Sequence, residues 1–507
     1  MPDRISRRQF LGDVAKGAAA LALTSLLPSF AQAAEGGAAP AGGLNRPNFL
    51  FINTDQQRTD TLKSYGCDFA LTPNIDRLAT EGVRFDRCYI SHPVCMPSRA
   101  SWVTGQYPSH HGVWHNGVPL NPNADMIQTH LKAAGYHTAC IGKLHLDNIV
   151  ERKSLHPPYN FDVLLDAQGD PYYKDRYFEW LETHGLYEEY LEQFRKGGHR
   201  KGYTRDLDED RHMNSWMTGH TETYLADRAR DRRPFFLHLG FFDPHHPFDP
   251  CEPYASLYDP ADMPLPRYEE GEVDRMTPPA KAMVRADCRD ADFIRRTSAA
   301  YHAKVAHIDA MVGRVMAALR RFKLEDNTVV IFTSDHGEML GDHNLLLKGP
   351  LFYEGALRVP LIYRFPQRFG VRGVDGGFAS HVDLAPTVAA LAGIDGPSRA
   401  QGAPLFDRSM KLRPVPARDA ALTEWCDRAI NGSGQHLVGR CLITDRWKCV
   451  YYHGQPFGEL YDRVNDPNEY RNLWADPAHK GTVAEMRDRL FTFLMDNEPR
   501  PQRTKDF

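Results

Sequence analysis

The sequence predicts an α/β protein with a large, mostly parallel sheet sandwiched by helices, followed by a smaller antiparallel sheet with a terminal helix. Two patterns predict it. Short apolar runs bounded by polar residues or glycine alternate with longer segments of helical period as far as about residue 395. Beyond that point short strand-like pieces succeed one another, with turn residues between them. At 507 residues the chain also exceeds what one compact core holds, which favours a main domain with an appendage.

Taken in chain order, residues 1–33 read as a targeting segment rather than as fold. Ser6-Arg7-Arg8-Gln9-Phe10-Leu11 carries a twin-arginine motif, an apolar run extends from Gly17 to Phe30, and Ala31-Gln32-Ala33 supplies a small-residue cleavage site. The run is shorter than a bilayer span, so the expectation is export of the folded protein by the twin-arginine machinery, not an integral membrane protein. A periplasm or the cell exterior is the expected destination. Residues 34–46, rich in Ala, Gly and Pro, read as a flexible leader.

A main domain is expected over residues 47–395. Its strand candidates are Asn48–Asn53, His137–Ile141, Phe235–Phe242, Thr328–Thr333 and Val359–Tyr363. Helical period marks Met126–Ala134 and Ala299–Arg320, where Tyr301, Val305, Ile308, Val312, Val315, Met316 and Leu319 share one face. Residues 150–230 and 249–297 lack a sheet pattern and read as substrate-facing loops. The Pro/Gly/Arg-rich stretch 396–418 reads as a linker to a subdomain over 419–507. That subdomain has strand-like Ala421–Trp425, Gly439–Asp445, Trp447–Tyr452 and Glu459–Tyr461, then a helix near Thr482–Met495. A net charge of −4 without a basic patch argues against a nucleic-acid partner. The nine cysteines show neither a disulfide framework nor a zinc spacing, so no pairing is predicted.

In parallel sheets ligands gather beyond the carboxyl ends of the strands, so the residues that follow the apolar runs are the ones to read for chemistry. Phe49–Ile52 runs into Asn53-Thr54-Asp55-Gln56, and Val329–Phe332 runs into Thr333-Ser334-Asp335-His336. Two strands that each end in a carboxylate and a neutral donor suit one divalent cation. Taken singly, an aspartate after a strand is more often a helix cap. Gly142-Lys143-Leu144-His145 and Pro244-His245-His246-Pro247 follow two further strands, and Lys348 closes the segment Gly341–Lys348. Val94-Cys95-Met96-Pro97-Ser98-Arg99-Ala100-Ser101, taken alone, is either a packed thiol before a helix with proline in its first turn or a reactive cysteine.

Together these motifs settle the choice, because they occur in one order familiar from a known family. Cys95 to Arg99 resembles the C-x-P-S-R core of the type I sulfatases, residues 142–145 their G-K-x-H, and residues 244–247 their P-H-x-P. The resemblance covers residues 48–365 and implies an alkaline-phosphatase-like fold, which makes residues 47–395 the catalytic domain. It implies that a formylglycine-generating enzyme oxidises Cys95 to formylglycine, the nucleophile. It carries Asp55, Gln56, Asp335 and His336 over as metal ligands, with a modified Cys95 supplying a further oxygen. Many members have Asp-Asp and Asp-Asn at these pairs, so Gln56 and His336 are departures that occur in the wider superfamily. Calcium is the first choice for the ion; manganese is the second, since imidazole is an unusual calcium ligand.

The resemblance also implies roles for the remaining motif residues. Arg99, Lys143 and Lys348 join the metal in holding a dianionic transition state. Lys143, Lys348 and His245 contact the substrate; so does Asn116, although turn formation explains Asn116-Gly117 equally well. Asp335 accepts a proton from the hydrated aldehyde, and His245 or Lys348 protonates the departing alcohol. His145 acts as the base that restores the aldehyde and expels sulfate, an escape that a serine in place of Cys95 lacks. His110, His111, His246 and His343 are given no role, and Glu459-Leu460-Tyr461-Asp462 with Asp466-Pro467-Asn468-Glu469 reads as structural. Phosphonate monoester and phosphodiester hydrolases share the Asp-Gln and Asp-His pairs but typically lack the Lys and His of G-K-x-H. Lys143 and His145 therefore favour sulfate. A third reading is an anion-binding relative whose Cys95 is never oxidised. Carbohydrate, choline and aryl sulfates all suit these motifs.

Overall fold

The computed structural model describes residues 46–147, 159–169, 171, 175–197, 208–411, 418–428 and 436–498. The signal segment 1–33 and all of the leader but Arg46 lie outside the described residues.

The main sheet has eight strands: β1 Asn48–Asp55, β2 Val83–Tyr89, β3 His137–Gly142, β4 Val163–Asp166, β5 Phe235–Pro244, β6 Thr328–Ser334, β7 Arg358–Arg364 and β8 Gly373–Ser380. Their order is β4-β3-β5-β1-β6-β7-β2-β8. Every pairing is parallel except those of β7, which runs antiparallel to both β6 and β2. The sheet is thus mixed, with a parallel half that ends at β6. The strands β2, β4 and β8 carry no clear strand signal in the sequence; β4 lies inside the stretch 150–230 that reads as loop.

Helices cover both faces. Along β1, Phe49 and Phe51 enter one apolar core, while Leu50 and Ile52 enter the other. Each such side chain contributes about 1.5–3 kcal/mol on burial. The first core takes its helices from α2 (Cys95–Thr104), α3 (Ile127–Ala133) and α6 (Leu384–Ala392). The second is lined by α1 (Pro73–Glu81), α4 (Met213–Asp231) and α5 (Ala291–Arg321). All seven residues assigned to the apolar face of α5 lie in this core. The helix starts earlier than its period suggests, because Asp290 caps it by accepting from the backbone N–H groups of Asp292 and Phe293.

Two expected loops are partly corrected. Within 150–230 the described residues form β4, the helices Arg176–Thr183 and Tyr187–Gly197, and the 19-residue α4. Within 249–297, Tyr254, Leu257, Tyr258 and Met263 make a small core against Ala299, Ala303 and Ala306 of α5. In the stretch 396–411, Leu405, Phe406 and Met410 are buried in the first core, so this part packs on the main domain.

The second sheet is antiparallel, in the order β12-β11-β10-β9, from β9 (Ala420–Arg428), β10 (His436–Thr444), β11 (Trp447–Tyr452) and β12 (Gly458–Asp462). One face joins the first core through Ala421, Trp425, Cys441 and Ile443. The other is covered by Val483, Met486 and Leu490 of α7 (Lys480–Asp496). All nine cysteines are unpaired. No helix among the described residues is long and apolar enough to cross a membrane.

Candidate active site

The site is built where β1, β6, β5 and β3 end together. Thr54 pairs with Ser334 across the β1–β6 ladder, so Asp55 and Asp335 leave neighbouring strands at one level. On the other side Gly142 of β3 pairs with Gly240 of β5. A Cβ on Gly142 would meet the Gly240 carbonyl oxygen at 2.2 Å, and its φ of 97° already excludes most side chains. This close approach places Lys143 and His145 at the strand ends.

Cys95 is the first residue of α2, after Val94 in extended conformation. Pro97 sits in the first turn, where a missing N–H costs nothing. The Met96 N–H donates to Asn116 Oδ1 at 3.0 Å, so the exposed Asn116 caps the helix that carries Cys95. Cys95 Sγ lies 3.2 Å from His336 Nε2 and 3.8 Å from Asp55 Oδ1. Ser98, one turn on, donates to the Asp335 carbonyl at 2.6 Å and ties the helix to β6.

Arg99 is completely buried and holds both carboxylates. Its Nε donates to Asp335 Oδ2 at 2.8 Å, Nη2 to Asp55 Oδ2 at 3.1 Å, and Nη1 to the Lys143 carbonyl at 2.7 Å. Lys143 Nζ pairs with Asp55 Oδ2 at 2.7 Å. Lys348 Nζ lies 2.6 Å from His245 Nε2 and donates to the Gln56 side-chain oxygen. His245 Nδ1 donates to the His246 carbonyl, so Nε2 is the acceptor and Lys348 holds the proton. His145 is buried with its backbone in the left-handed region, at φ 52°.

The donor set fits a divalent cation. Atoms of Asp55, Cys95, Asp335 and His336 all lie within 4.8 Å of one another, and all four residues are buried. His336 Nδ1 donates to the Gly337 carbonyl at 2.9 Å, which turns Nε2 toward the carboxylates of Asp55 and Asp335, 3.7 Å from each. Gln56 adjoins this group with its amide held between Lys348 and Glu338. Asp55 and Asp335 are balanced by Arg99 and Lys143, so a bound dication together with Lys348 would leave the centre strongly positive. Such a centre suits a doubly charged tetrahedral anion.

The electrostatics follow from this geometry. Burial alone would raise the Asp55 carboxyl, but Lys143, Arg99 and His336 outweigh it and hold it well below its usual range. Burial and Asp55 push the Cys95 thiol up, yet Lys348, Lys143 and His336 bring it below the ordinary cysteine value. Burial, His246 and Lys348 hold His245 well below the usual imidazole value, in keeping with a neutral ring.

Sequence reasoning missed several supports. Lys304 on α5 donates to the carbonyls of His245 at 2.7 Å and Pro247 at 2.8 Å, and pairs with Asp243 at 2.8 Å and Asp249 at 3.0 Å. It thereby shapes the whole 244–247 loop. The signal was a lysine in the apolar stripe of an amphipathic helix. Glu338 accepts from Gln56 and from the backbone of Leu340 and Leu347, and it was legible as the acidic residue that closes Asp335-His336-Gly337-Glu338. Of the histidines given no role, His343 bonds Glu272 through Nδ1 at 3.0 Å and stacks on Tyr353.

A helix-covered sheet that presents paired aspartates, an imidazole and buried cations at its strand ends defines an alkaline-phosphatase-like hydrolase of tetrahedral oxoanion esters. The comparisons narrow this class. The sulfatase family model matches residues 47–394, and the model for the C-terminal region of N-sulphoglucosamine sulphohydrolase matches 341–496. The chain belongs to the sulfatase family. It is 33% identical to the uncharacterized sulfatase YidJ of Escherichia coli, over 89% of this chain and 88% of that one. It is 29% identical to an arylsulfatase of Clostridium perfringens, over 89% and 95%. Among solved structures, the phosphonate monoester hydrolase of Agrobacterium radiobacter superposes with a TM-score of 0.76 at 26% identity, covering 89% of this chain and 96% of that one. The protein is therefore a sulfatase, with a phosphonate hydrolase among its structural relatives.

Proposed function

We propose that the protein hydrolyses a sulfate monoester with a formylglycine derived from Cys95 and one divalent cation, calcium first and manganese second. The observation that carries this reading is the place of Cys95: first in its helix, 3.2 Å from His336, with its thiol lowered by Lys348 and Lys143. Asp55, Asp335 and His336 would hold the ion, with Gln56 and residue 95 completing the set. The hydrated aldehyde and the cation would together supply a nucleophilic oxygen of lowered proton affinity.

The chain's own residues do the rest. Arg99 fixes Asp55 and Asp335 in orientation. Asp335, with a carboxylate oxygen within 4.8 Å of the residue 95 side chain, is the base that takes the first proton. Lys143 and Lys348 bind the oxygens of the sulfate group, and Asn116 stands at the same helix start. Lys348, with its proton hydrogen-bonded to His245, delivers that proton to the departing alcohol oxygen. His145, on the Lys143 loop, takes the proton that must leave residue 95 when sulfate is expelled.

Co-expression with a formylglycine-generating enzyme tests this. Intact-mass analysis should show the thiol converted to the aldehyde, and the product should cleave an aryl sulfate faster than the matching aryl phosphonate. Faster phosphonate cleavage would favour the second reading, a phosphonate monoester or phosphodiester hydrolase. The Asp55-Gln56 and Asp335-His336 pairs and the similarity to the Agrobacterium enzyme support that alternative. An unmodified thiol without turnover would instead favour an anion-binding protein.

The same proposal includes twin-arginine export to the periplasm or beyond through residues 1–33. Replacing Arg7 and Arg8 by lysine should leave the folded enzyme in the cytoplasm, as read by cell fractionation. Unchanged export would discard this part.

A further inference from the structure

Behind the 244–247 loop lies a second group of metal-ligating side chains, which no motif announces. His212, Cys251 and His307 are buried, with ligand atoms all within 4.8 Å of one another. They come from three separate places. His212 caps α4, Cys251 ends the segment that carries His245, and His307 lies in the middle of α5. His307 Nδ1 is 3.8 Å from Cys251 Sγ, and the rings of His212 and His307 meet at 4.7 Å between centroids. His212 Nδ1 accepts from the Asn214 N–H at 3.2 Å, which directs Nε2 towards Asp243 Oδ2, 4.0 Å away.

His307 is short of partners in this setting. Nδ1 has only the sulfur and Asn214 Nδ2, the latter at 3.4 Å. Nε2 has no hydrogen-bond partner among the described residues, although the residue is 1% exposed. The side-chain oxygen of Asn214, also buried, is without a partner too. Leaving such groups unsatisfied costs about 1–3 kcal/mol each, so this pocket is polar and short of partners without a ligand.

We propose that His212, Cys251 and His307 form a second metal site that takes zinc, or a similar borderline transition-metal ion, through one thiolate and two imidazoles. Sulfur and nitrogen donors in tetrahedral array suit zinc at about 2.3 and 2.0–2.1 Å, and exclude the hard, oxygen-seeking ions proposed for the first site. The Cys251–His307 spacing is close to that of such a shell; the other pairs, within 4.8 Å, need to close to about 3.3–3.6 Å. Asp243 Oδ2 or a water takes the fourth position. Binding replaces the Cys251 S–H bond by a sulfur–metal bond and releases one proton to solvent.

The ion would act as a staple. Lys304, one turn before His307 on α5, holds Asp243, Asp249 and the carbonyls of His245 and Pro247. A metal that joins α4, α5 and Cys251 would fix the frame from which His245 reaches Lys348. The site positions that histidine; it touches no substrate.

The test uses full-length protein carrying Cys95→Ala, so that the active-site thiol contributes no signal. After removal of metal by a chelator, it is titrated with cobalt(II), whose thiolate complexes show an intense sulfur-to-metal charge-transfer band. One equivalent of thiolate-bound cobalt, displaced by zinc, is expected. Adding Cys251→Ser or His307→Gln should abolish the band while circular dichroism stays unchanged. X-ray absorption of the zinc-loaded Cys95→Ala protein should show one sulfur at about 2.3 Å, and this measurement needs no second variant. A band that survives Cys251→Ser, a folded Cys95→Ala protein that gives no band, or a sulfur-free zinc shell would each overturn the proposal. None of these outcomes depends on sulfatase turnover.

Discussion

Arg99 uses three guanidinium nitrogens at once, on two carboxylates and a carbonyl, and it does so with no exposure to solvent. A lysine carries the same charge at a single point, so it lacks the planar fork that holds both aspartates and the Lys143 carbonyl in fixed orientation. At an effective dielectric of about 20, each unit-charge contact near 4 Å is worth about 4 kcal/mol. Arg99→Lys should therefore fold but lose about 100- to 1,000-fold in kcat, comparable to the loss of one transition-state donor. A loss under about threefold in steady-state assays would contradict this role. Lys348 makes a sharper distinction, because it is proposed both as a sulfate ligand and as the proton donor next to His245. In Lys348→Ala, an alkyl sulfate should lose at least ~100-fold more rate than a nitrophenyl sulfate, whose leaving group needs no proton. Equal losses on the two substrates would reduce Lys348 to a charge.

The strand ends carry the site, and the least forgiving point among them is the glycine contact between β3 and β5. Gly142→Ala places a methyl group 2.2 Å from the Gly240 carbonyl at a φ of 97°, so relief requires the strands to part. We expect a loss above about 2 kcal/mol in urea unfolding, with activity falling as Lys143 moves. A neutral substitution would mean that the two strands are not held this closely. The strands of the large sheet legible in the sequence, β1, β3, β5, β6 and β7, are buried along nearly their whole length and so read as apolar runs. Those that escaped notice are mixed in character. In β2, Arg84, Asp86 and Arg87 interrupt the apolar residues, and β8 carries glycines and exposed positions. The reversed direction of β7 left no mark, since polarity depends on how a strand is connected and not on its own residues. The segment 249–297 reads as loop because its apolar residues are scattered, yet they close on α5.

Across the whole molecule, the small sheet is locked to the large domain by Lys448 of β11, which is fully buried. Its ammonium pairs with Glu354 at 3.0 Å and with Glu469, and donates to the Phe352 carbonyl at 3.0 Å. Lys448→Met would strand the buried Glu469 carboxylate and take one partner from the half-buried Glu354, at a cost of about 3–5 kcal/mol. A Glu469→Gln change in the same chain should recover part of that stability, and a change below about 1 kcal/mol for Lys448→Met would contradict the lock. At this scale the motif residues that meet at the strand ends were legible as a set, because the motifs fall in one familiar order although each alone is ambiguous. Lys304 and the His212–Cys251–His307 group were not, because their meaning arises only when distant segments meet; Cys251 and His307 are 56 positions apart. The same long reach governs time as well as space. Cys95 is sealed by His336, 241 positions later in the chain, and by the strand that carries it. At roughly 5–20 residues added per second, a ribosome needs about 12–48 s to pass from one to the other. During that interval the thiol has no lid, so an enzyme that acts on it meets its widest opening on the growing chain.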